Sequence, residues 1–227
     1  VQASKARSLG ARVKSFAGVR PKDLLPRQPQ IAEPTTGESM GESAERMAKD
    51  NGISRADQDA WALRSHTLAA AGTADGRLTA EMARVYVPPH YDEVVERDNG
   101  IRTDTSAEKL AALKPVFDRR YGTVTAGNAS PLTDGASAVM LMHEKRARSD
   151  GLPILGRIRS YAFAALDPAD QLLQGPVFAA PIALDRAGLT MADIGLMEMH
   201  EAFAAQVLSN LQWFDSDQIA RERLGRS

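Results

Sequence analysis

The chain has 227 residues, 43% of them apolar and 25% charged, with 28 basic residues against 29 acidic ones and no cysteine. That length buries the core of one large domain or two small ones, and a net charge of -1 gives the chain as a whole no reason to seek nucleic acid or an anionic membrane. The missing cysteines remove disulfides, thiolate metal sites and thiol nucleophiles from this polypeptide. No apolar run approaches the roughly 20 residues that span a bilayer.

Residues 1–34 are basic, with Lys5, Arg7, Arg12, Lys14, Arg20 and Lys22 among them. Leu9, Val13 and Phe16 recur at helical spacing, which fits a short amphipathic helix. Pro21, Pro26, Pro29 and Pro34 keep any helix from continuing through the rest of the segment. Such a stretch could dock on anionic lipid, but a solvated flap or a surface facing nucleotide phosphates is the preferred reading, so membrane contact through 1–34 is not expected. Val1 and the abrupt ending "QIARERLGRS" read as the limits of a piece of a longer protein. No targeting signal is recognised, which points to a cytoplasmic protein, or a mitochondrial one in a eukaryote.

A helix is expected over 37–52, with Ala44, Met47 and Ala48 as its apolar stripe and Gly52 ending it in the left-handed conformation. Ser54, with Asp57 three residues on, caps the next helix; Ala60, Leu63, Thr67, Leu68 and Ala71 give that helix its stripe, and it stops near Gly72. "ARVYVPP" reads as a short strand closed by Pro88 and Pro89, and "TSAEKLAALKP" as a small capped helix ended by Pro115. From Thr123 the texture becomes α/β. "GTVTAGN" is a strand entering a loop of small residues, and "GASAVMLM" a buried strand. "HEKRARSDG" is a polar helix and "ILGRIRSYAFA" an alternating strand. "PVFAAPIALDRAG" is a helix with Pro176 in its first turn and Gly188 past its end. "IGLMEM" is a buried strand that passes through His200 and Glu201 directly into the helix "AFAAQVLSNLQ". Strands alternating with helices indicate layered α/β sheets.

Three features could carry chemistry. His200 and Glu201 stand at a strand-to-helix junction, where open α/β sheets bind ligands; a histidine there can donate to a developing oxyanion, although on pattern alone capping the helix is the plainer reading of both. The segment "TAGNASPLTDGA" (125–136) is small enough at Ala126, Gly127, Ala129 and Ser130 for a ligand or a second backbone to approach, with Asn128, Thr133 and Asp134 able to tie the loop to itself. Arg102, beside a turn and ahead of a capped helix, suits phosphate binding, although a solvated surface arginine is the commoner explanation of such a position. His66, His90 and His143 have no metal-like spacing and read as structural or surface residues, so no metal site is expected. Trp61 and Trp213 read as packing residues.

In order, "MGESAERMAKDNGISRADQDAWALRSH", "IRTDTSAEKLAALKPVFDRRYGTVTAGNASPLTDGASAVMLM" and "MEMHEAFAAQ" resemble the 3-ketoacyl-CoA thiolase family, of the fatty-acid-oxidation, trifunctional-complex type, from about Pro34 to about Trp213. The resemblance implies a thiolase-like α/β fold, seen in part, with layered sheets and an inserted loop domain. Residues 1–122 would be most of the loop domain, 123–150 the end of the first half, and 151–227 the start of the second. It implies thiolytic cleavage of 3-ketoacyl-CoA, or the reverse condensation, with coenzyme A as substrate and no permanently bound cofactor. By position, His200 would help form an oxyanion hole for the thioester carbonyl and Glu201 would support it. Ala202 and Phe203 would line the pantetheine and acyl channel, Ala126 and Ser130 would contact the pantetheine arm, and Arg102 would meet the nucleotide end of coenzyme A. Met40, Phe117 and Leu172 would form apolar walls. At least a dimer, and partnership with a hydratase/dehydrogenase subunit, are likewise implied. The departure is as informative: the family uses two cysteines and a later "GHP" histidine, and this chain has none of them. It would therefore be part of an active enzyme, or a non-catalytic relative that binds acyl-CoA or pairs with a catalytic subunit.

Overall fold

The computed structural model describes Ser8, Gly10, Arg20 and residues 31–226. The chain divides into two units, Val1–Ile31 and Ala32–Ser227, and every helix and strand named below belongs to the second. The expected amphipathic helix around Leu9, Val13 and Phe16 lies outside the described residues.

Helix α1 (Met40–Asp50) opens on Ser39, whose side chain accepts from the Glu42 N–H while the Glu42 carboxylate accepts from the Ser39 N–H, a capping box that settles two otherwise orphaned donors. It ends at Asn51 and Gly52, the latter at φ 65°. Helix α2 (Arg55–Ala74) follows at once, capped by Ser54 accepting from Asp57 N–H as expected, a contact worth about 1 kcal/mol. The hairpin β1 (Val85–Tyr86) and β2 (Val94–Val95) pairs antiparallel, with a cis Pro88–Pro89 bond in its loop. Helix α3 (Ala107–Ala111) is capped by Ser106. Helix α4 (Glu144–Ser149) is capped by His143 accepting through its side chain from Lys145 N–H. Helix α5 (Gly175–Ala187) has Pro176 in its first turn and ends on Gly188 at φ 67°, and a 3-10 turn (Leu172–Gln174) precedes it. Helices α6 (Ala204–Phe214) and α7 (Asp217–Glu222) close the described chain.

The core forms where α1, α6 and the 123–125 segment meet. Ala44, Ala48, Val124 and Ala205 are fully enclosed, with Ile53, Phe117, Ala129, Leu173 and Phe203 packed around them. Small residues at 44, 48 and 205 let the two helices approach closely. Around this apolar centre runs a polar framework. Glu45, only 3% exposed, accepts from the N–H groups of Thr123 and Val124 and from the Thr123 hydroxyl. Gln58 donates to Thr123 Oγ1 at 2.9 Å. Asn51 accepts from Trp213 Nε1 at 2.7 Å and donates to Gln171 Oε1 at 2.6 Å.

Two expectations change here. The stripe Ala60, Leu63, Thr67, Leu68 and Ala71 is not the buried face of α2: Leu68 is 52% exposed, and the enclosed residues are Gln58, Asp59, Ala62 and Gly72. The inner face is polar because it meets polar side chains of the 123–128 loop: Gln58 donates to Thr123 Oγ1 and Asp59 accepts from Asn128 Nδ2. The segments expected as strands at 135–142, 154–164 and 194–199 pair with no other strand among the described residues. Their apolar side chains stand open, Val139 at 82%, Leu155 at 98% and Leu196 at 85%. An apolar pattern marks residues to be covered, whereas a strand exists only once a neighbour accepts its hydrogen bonds.

Candidate functional site

The small-residue loop and the His200 junction, about 70 positions apart in the chain, lie side by side. Ala129 and Phe203 form an antiparallel bridge, with Ser130 N–H donating to Ala202 C=O at 2.8 Å and Ala204 N–H to Asn128 C=O at 2.9 Å. The loop is tied to itself through Asn128, whose Oδ1 accepts from Thr125 N–H at 2.8 Å and whose Nδ2 donates to Thr123 C=O at 3.1 Å. Asn128 Nδ2 also donates to Asp59 Oδ1 at 2.9 Å, and Arg55 Nε holds the other Asp59 oxygen at 2.7 Å. Thr133 and Asp134, the other expected ties, are exposed and make no hydrogen bond among the described residues. Gly127 has a specific reason for being glycine: a Cβ there would meet Leu113 and Leu110 side chains at 2.5 and 2.6 Å. That close approach comes from Leu110 of α3 and from Leu113 just past it, not from a ligand.

His200 and Glu201 do not run directly into a helix. Helix α6 begins at Ala204 with Phe203 as its N-cap residue, so neither His200 nor Glu201 caps it. Glu201 is half-buried and turned onto α2, where its Oε1 accepts from Trp61 Nε1 at 3.0 Å and its Oε2 from Ser65 Oγ at 2.6 Å. On the other side, Met199 Sδ accepts from Gln206 Nε2 at 3.6 Å. Between these two anchored neighbours His200 is exposed, with no hydrogen-bond partner among the described residues. An imidazole held this way is available to a ligand rather than spent on the fold.

The remaining residues are spread around this junction and beyond it. Ala126 and Ser130 are exposed on the loop beside the junction. Ala202 and Phe203 are half-buried on its other strand, and the Phe203 ring meets Phe117 edge-on at 6.3 Å and 77°. Phe117 in turn lies over Gly41, so tightly that a Cβ there would fall 1.8 Å from the ring, and Met40 is the preceding, half-buried residue. Leu172 sits farther off in its 3-10 turn, where its neighbour Leu173 reaches the core. Arg102 is fixed through its backbone: its N–H donates to His66 Nδ1 at 3.3 Å, while the guanidinium is exposed, makes no side-chain hydrogen bond among the described residues, and acts on Asp104 only as a nearby positive charge. His66 follows Ser65 directly, so α2 anchors both the Arg102 turn and Glu201. Trp61, read from sequence as packing, is thus also a hydrogen-bond donor to the site. No spacing signal could reveal a contact across 140 positions.

Two concavities are present among the described residues, the second reaching the site's Phe117. One of about 1020 Å³ is lined by Arg148, Leu152, Leu155, Arg157 and Arg159, against the unpaired 152–159 segment. One of about 360 Å³ lies along α1 between Glu38, Arg46, Lys49 and Phe117. Among the described residues no cluster of histidine and acidic side chains could hold a metal ion, and no helix is long and apolar enough to cross a membrane.

The thiolase N-terminal domain model matches residues 10–145 and the thiolase C-terminal domain model residues 152–224. The 3-ketoacyl-CoA thiolase of Pseudoalteromonas translucida (strain TAC 125) is 55% identical over all 227 residues, and that of Yersinia pestis (strain Pestoides F) 54%; each is covered over 52% of its own length. The chain therefore spans about half the length of the curated relatives it matches. Among solved structures, the Bacillus anthracis acetyl-CoA acetyltransferase superposes with a TM-score of 0.76 at 35% identity, over 86% of this chain and 52% of that one. Human mitochondrial 3-ketoacyl-CoA thiolase in complex with CoA gives 0.75 at 35% identity, over 83% and 46%. The α/β fold is thus thiolase-like and seen in part, and with both halves of the family pattern matched in order along it, the chain belongs to the thiolase family.

Proposed function

We propose that the complete protein containing this chain is a 3-ketoacyl-CoA thiolase, cleaving a 3-ketoacyl-CoA with free coenzyme A to acyl-CoA and acetyl-CoA, or running the reverse condensation. The observation that carries this reading is His200: exposed, unpartnered, flanked by two anchored residues, and beside a loop of small side chains. A thioester carbonyl gains negative charge as a thiolate adds to it, and a preorganised donor aimed at that oxygen stabilises the addition more than it stabilises the ground state. His200 is that donor, directly or through a water, and Glu201 holds the segment that carries it. The thiolate and the acid–base group come from cysteines outside these 227 residues.

Around this centre, Ala126 and Ser130 flank the pantetheine arm, Ala202 and Phe203 line the channel, and Met40, Phe117 and Leu172 form its apolar walls. The exposed Arg102 guanidinium faces the nucleotide phosphates. Residues 1–122 act as the loop domain, 123–150 end the first catalytic half and 151–227 begin the second. A dimer or larger assembly, and docking to a hydratase/dehydrogenase subunit, belong to the same proposal.

The test is steady-state thiolysis of a 3-ketoacyl-CoA by the full-length protein. We expect His200→Ala to lower kcat by about 10²- to 10³-fold, the usual cost of one lost oxyanion donor, and His200→Asn, which keeps a donor, to lose less. The absence of cysteine in this chain favours a second reading, a non-catalytic acyl-CoA-binding relative. Coenzyme A binding by the full-length protein without any thiolysis would establish that alternative.

A further inference from the structure

We infer that Trp61 and Ser65 are positioning residues for the reaction, acting on His200 through Glu201; this deepens the thiolase reading and rests on it. Both oxygens of the Glu201 carboxylate are engaged, one by Trp61 Nε1 at 3.0 Å and the other by Ser65 Oγ at 2.6 Å. The two donors sit four residues apart on α2 and so share one helix face. Their alignment is braced in turn: the Arg64 guanidinium lies over the Trp61 ring, 5.3 Å from its centre, which favours one indole orientation. The same helix carries Asp59, which holds Asn128 and thereby the facing loop. One rigid rod therefore sets both walls of the site, the His200 segment through Glu201 and the small-residue loop through Asn128.

The consequence for His200 is geometric. Its two neighbours are pinned, Glu201 to α2 and Met199 to Gln206, while the imidazole itself is exposed and makes no hydrogen bond among the described residues. Its position is then inherited from theirs. Removing one grip on Glu201 frees the carboxylate to turn, lets the segment shift, and moves the donor off the line of the developing oxyanion, where a displacement of about 1 Å is enough to slow chemistry. Substrate binding, which draws on surfaces elsewhere, is affected far less.

The experiment is a double-mutant cycle in the full-length protein, read as kcat and KM for thiolysis. We expect Ser65→Ala to lower kcat about tenfold with KM within about twofold of the parent, Ser65→Thr to restore most of the rate because it keeps the hydroxyl, and Trp61→Phe to behave like Ser65→Ala. In a Glu201→Gln background the Ser65→Ala loss should shrink to less than about twofold, because the two side chains act through one contact. A merely structural serine would give the same loss in both backgrounds. Ser65→Ala at the parental rate, a loss confined to KM, or an undiminished loss beside Glu201→Gln each overturns the inference while leaving the thiolase reading intact. A parent protein with no thiolysis overturns that reading, and this inference with it.

Discussion

Glu45 shows how a single buried charge can hold two segments together. Its carboxylate is the acceptor for two successive N–H groups and one hydroxyl of Thr123 and Val124, far along the chain. Replacing it with alanine would leave those donors buried and unpaired, so Glu45→Ala should cost about 3 kcal/mol in a denaturant titration. Gly41 is the opposite case, a residue defined by what it lacks. Gly41→Ala would drive a methyl group into the Phe117 ring, and we expect about 1–3 kcal/mol of destabilisation together with a shift of the Phe117–Phe203 pair beside the site. At this scale the sequence was partly legible. His200, Glu201, Arg102 and Asn128 could be singled out because each occupies a recognisable local setting, a junction, a turn or a small-residue loop. What holds them could not. Trp61 reads as an apolar ring until its N–H is seen against Glu201, and that pairing depends on the tertiary path of the chain.

The helices are the elements that sequence describes best, because their ends are decided within a few residues. Ser54 with Asp57, Gly52, Pro176 and Gly188 all stand where local rules place them. The faces of the helices are less legible: α2 turns Gln58 and Asp59 inward, where a count of apolar residues puts Leu63 and Leu68, because its partner is a loop that presents the Thr123 hydroxyl and the Asn128 amide. Between elements, ion pairs add pH sensitivity. The Lys49 ammonium, with the Tyr121 and Arg120 N–H groups, holds the Asp118 carboxyl at about 2, and Arg157 and Arg148 hold Glu144 at about 2. A carboxylate whose native pKa is depressed contributes stability that is complete above its unfolded value near 4 and is lost as pH falls through about 2. Glu144 is exposed and Asp118 only half-buried, so salt weakens the effect. Melting temperature followed from about pH 5 to about pH 2 should fall across that window, and Asp118→Asn should flatten the fall; an identical profile for the variant would contradict this account.

At the scale of the molecule, the unpaired segments 135–142, 154–164 and 194–199 are the main departure from the layered sheet expected. Their apolar pattern was legible and their pairing was not, since a strand's partner is set by the rest of the sheet and the chain spans only about half of its relatives' length. Open edges and side chains such as Leu132, Leu155 and Phe163 at 87–98% exposure form an adhesive surface. The 227 residues expressed alone should therefore bind a hydrophobic dye and elute as large, heterogeneous species. A monomer with a sharp melting transition and no dye binding would contradict this.

The grip of Trp61 on Glu201 also has a timetable. A ribosome adding about 5–20 residues each second completes the helix that bears the tryptophan on the order of ten seconds before it reaches the glutamate, 140 positions later. Throughout that interval the indole and the serine hydroxyl have nothing to hold. The reaction centre is therefore among the last parts of this stretch to take shape during synthesis, and a nascent chain stalled before residue 201 carries the two donors of α2 with no carboxylate to grip and a core still waiting for Ala205.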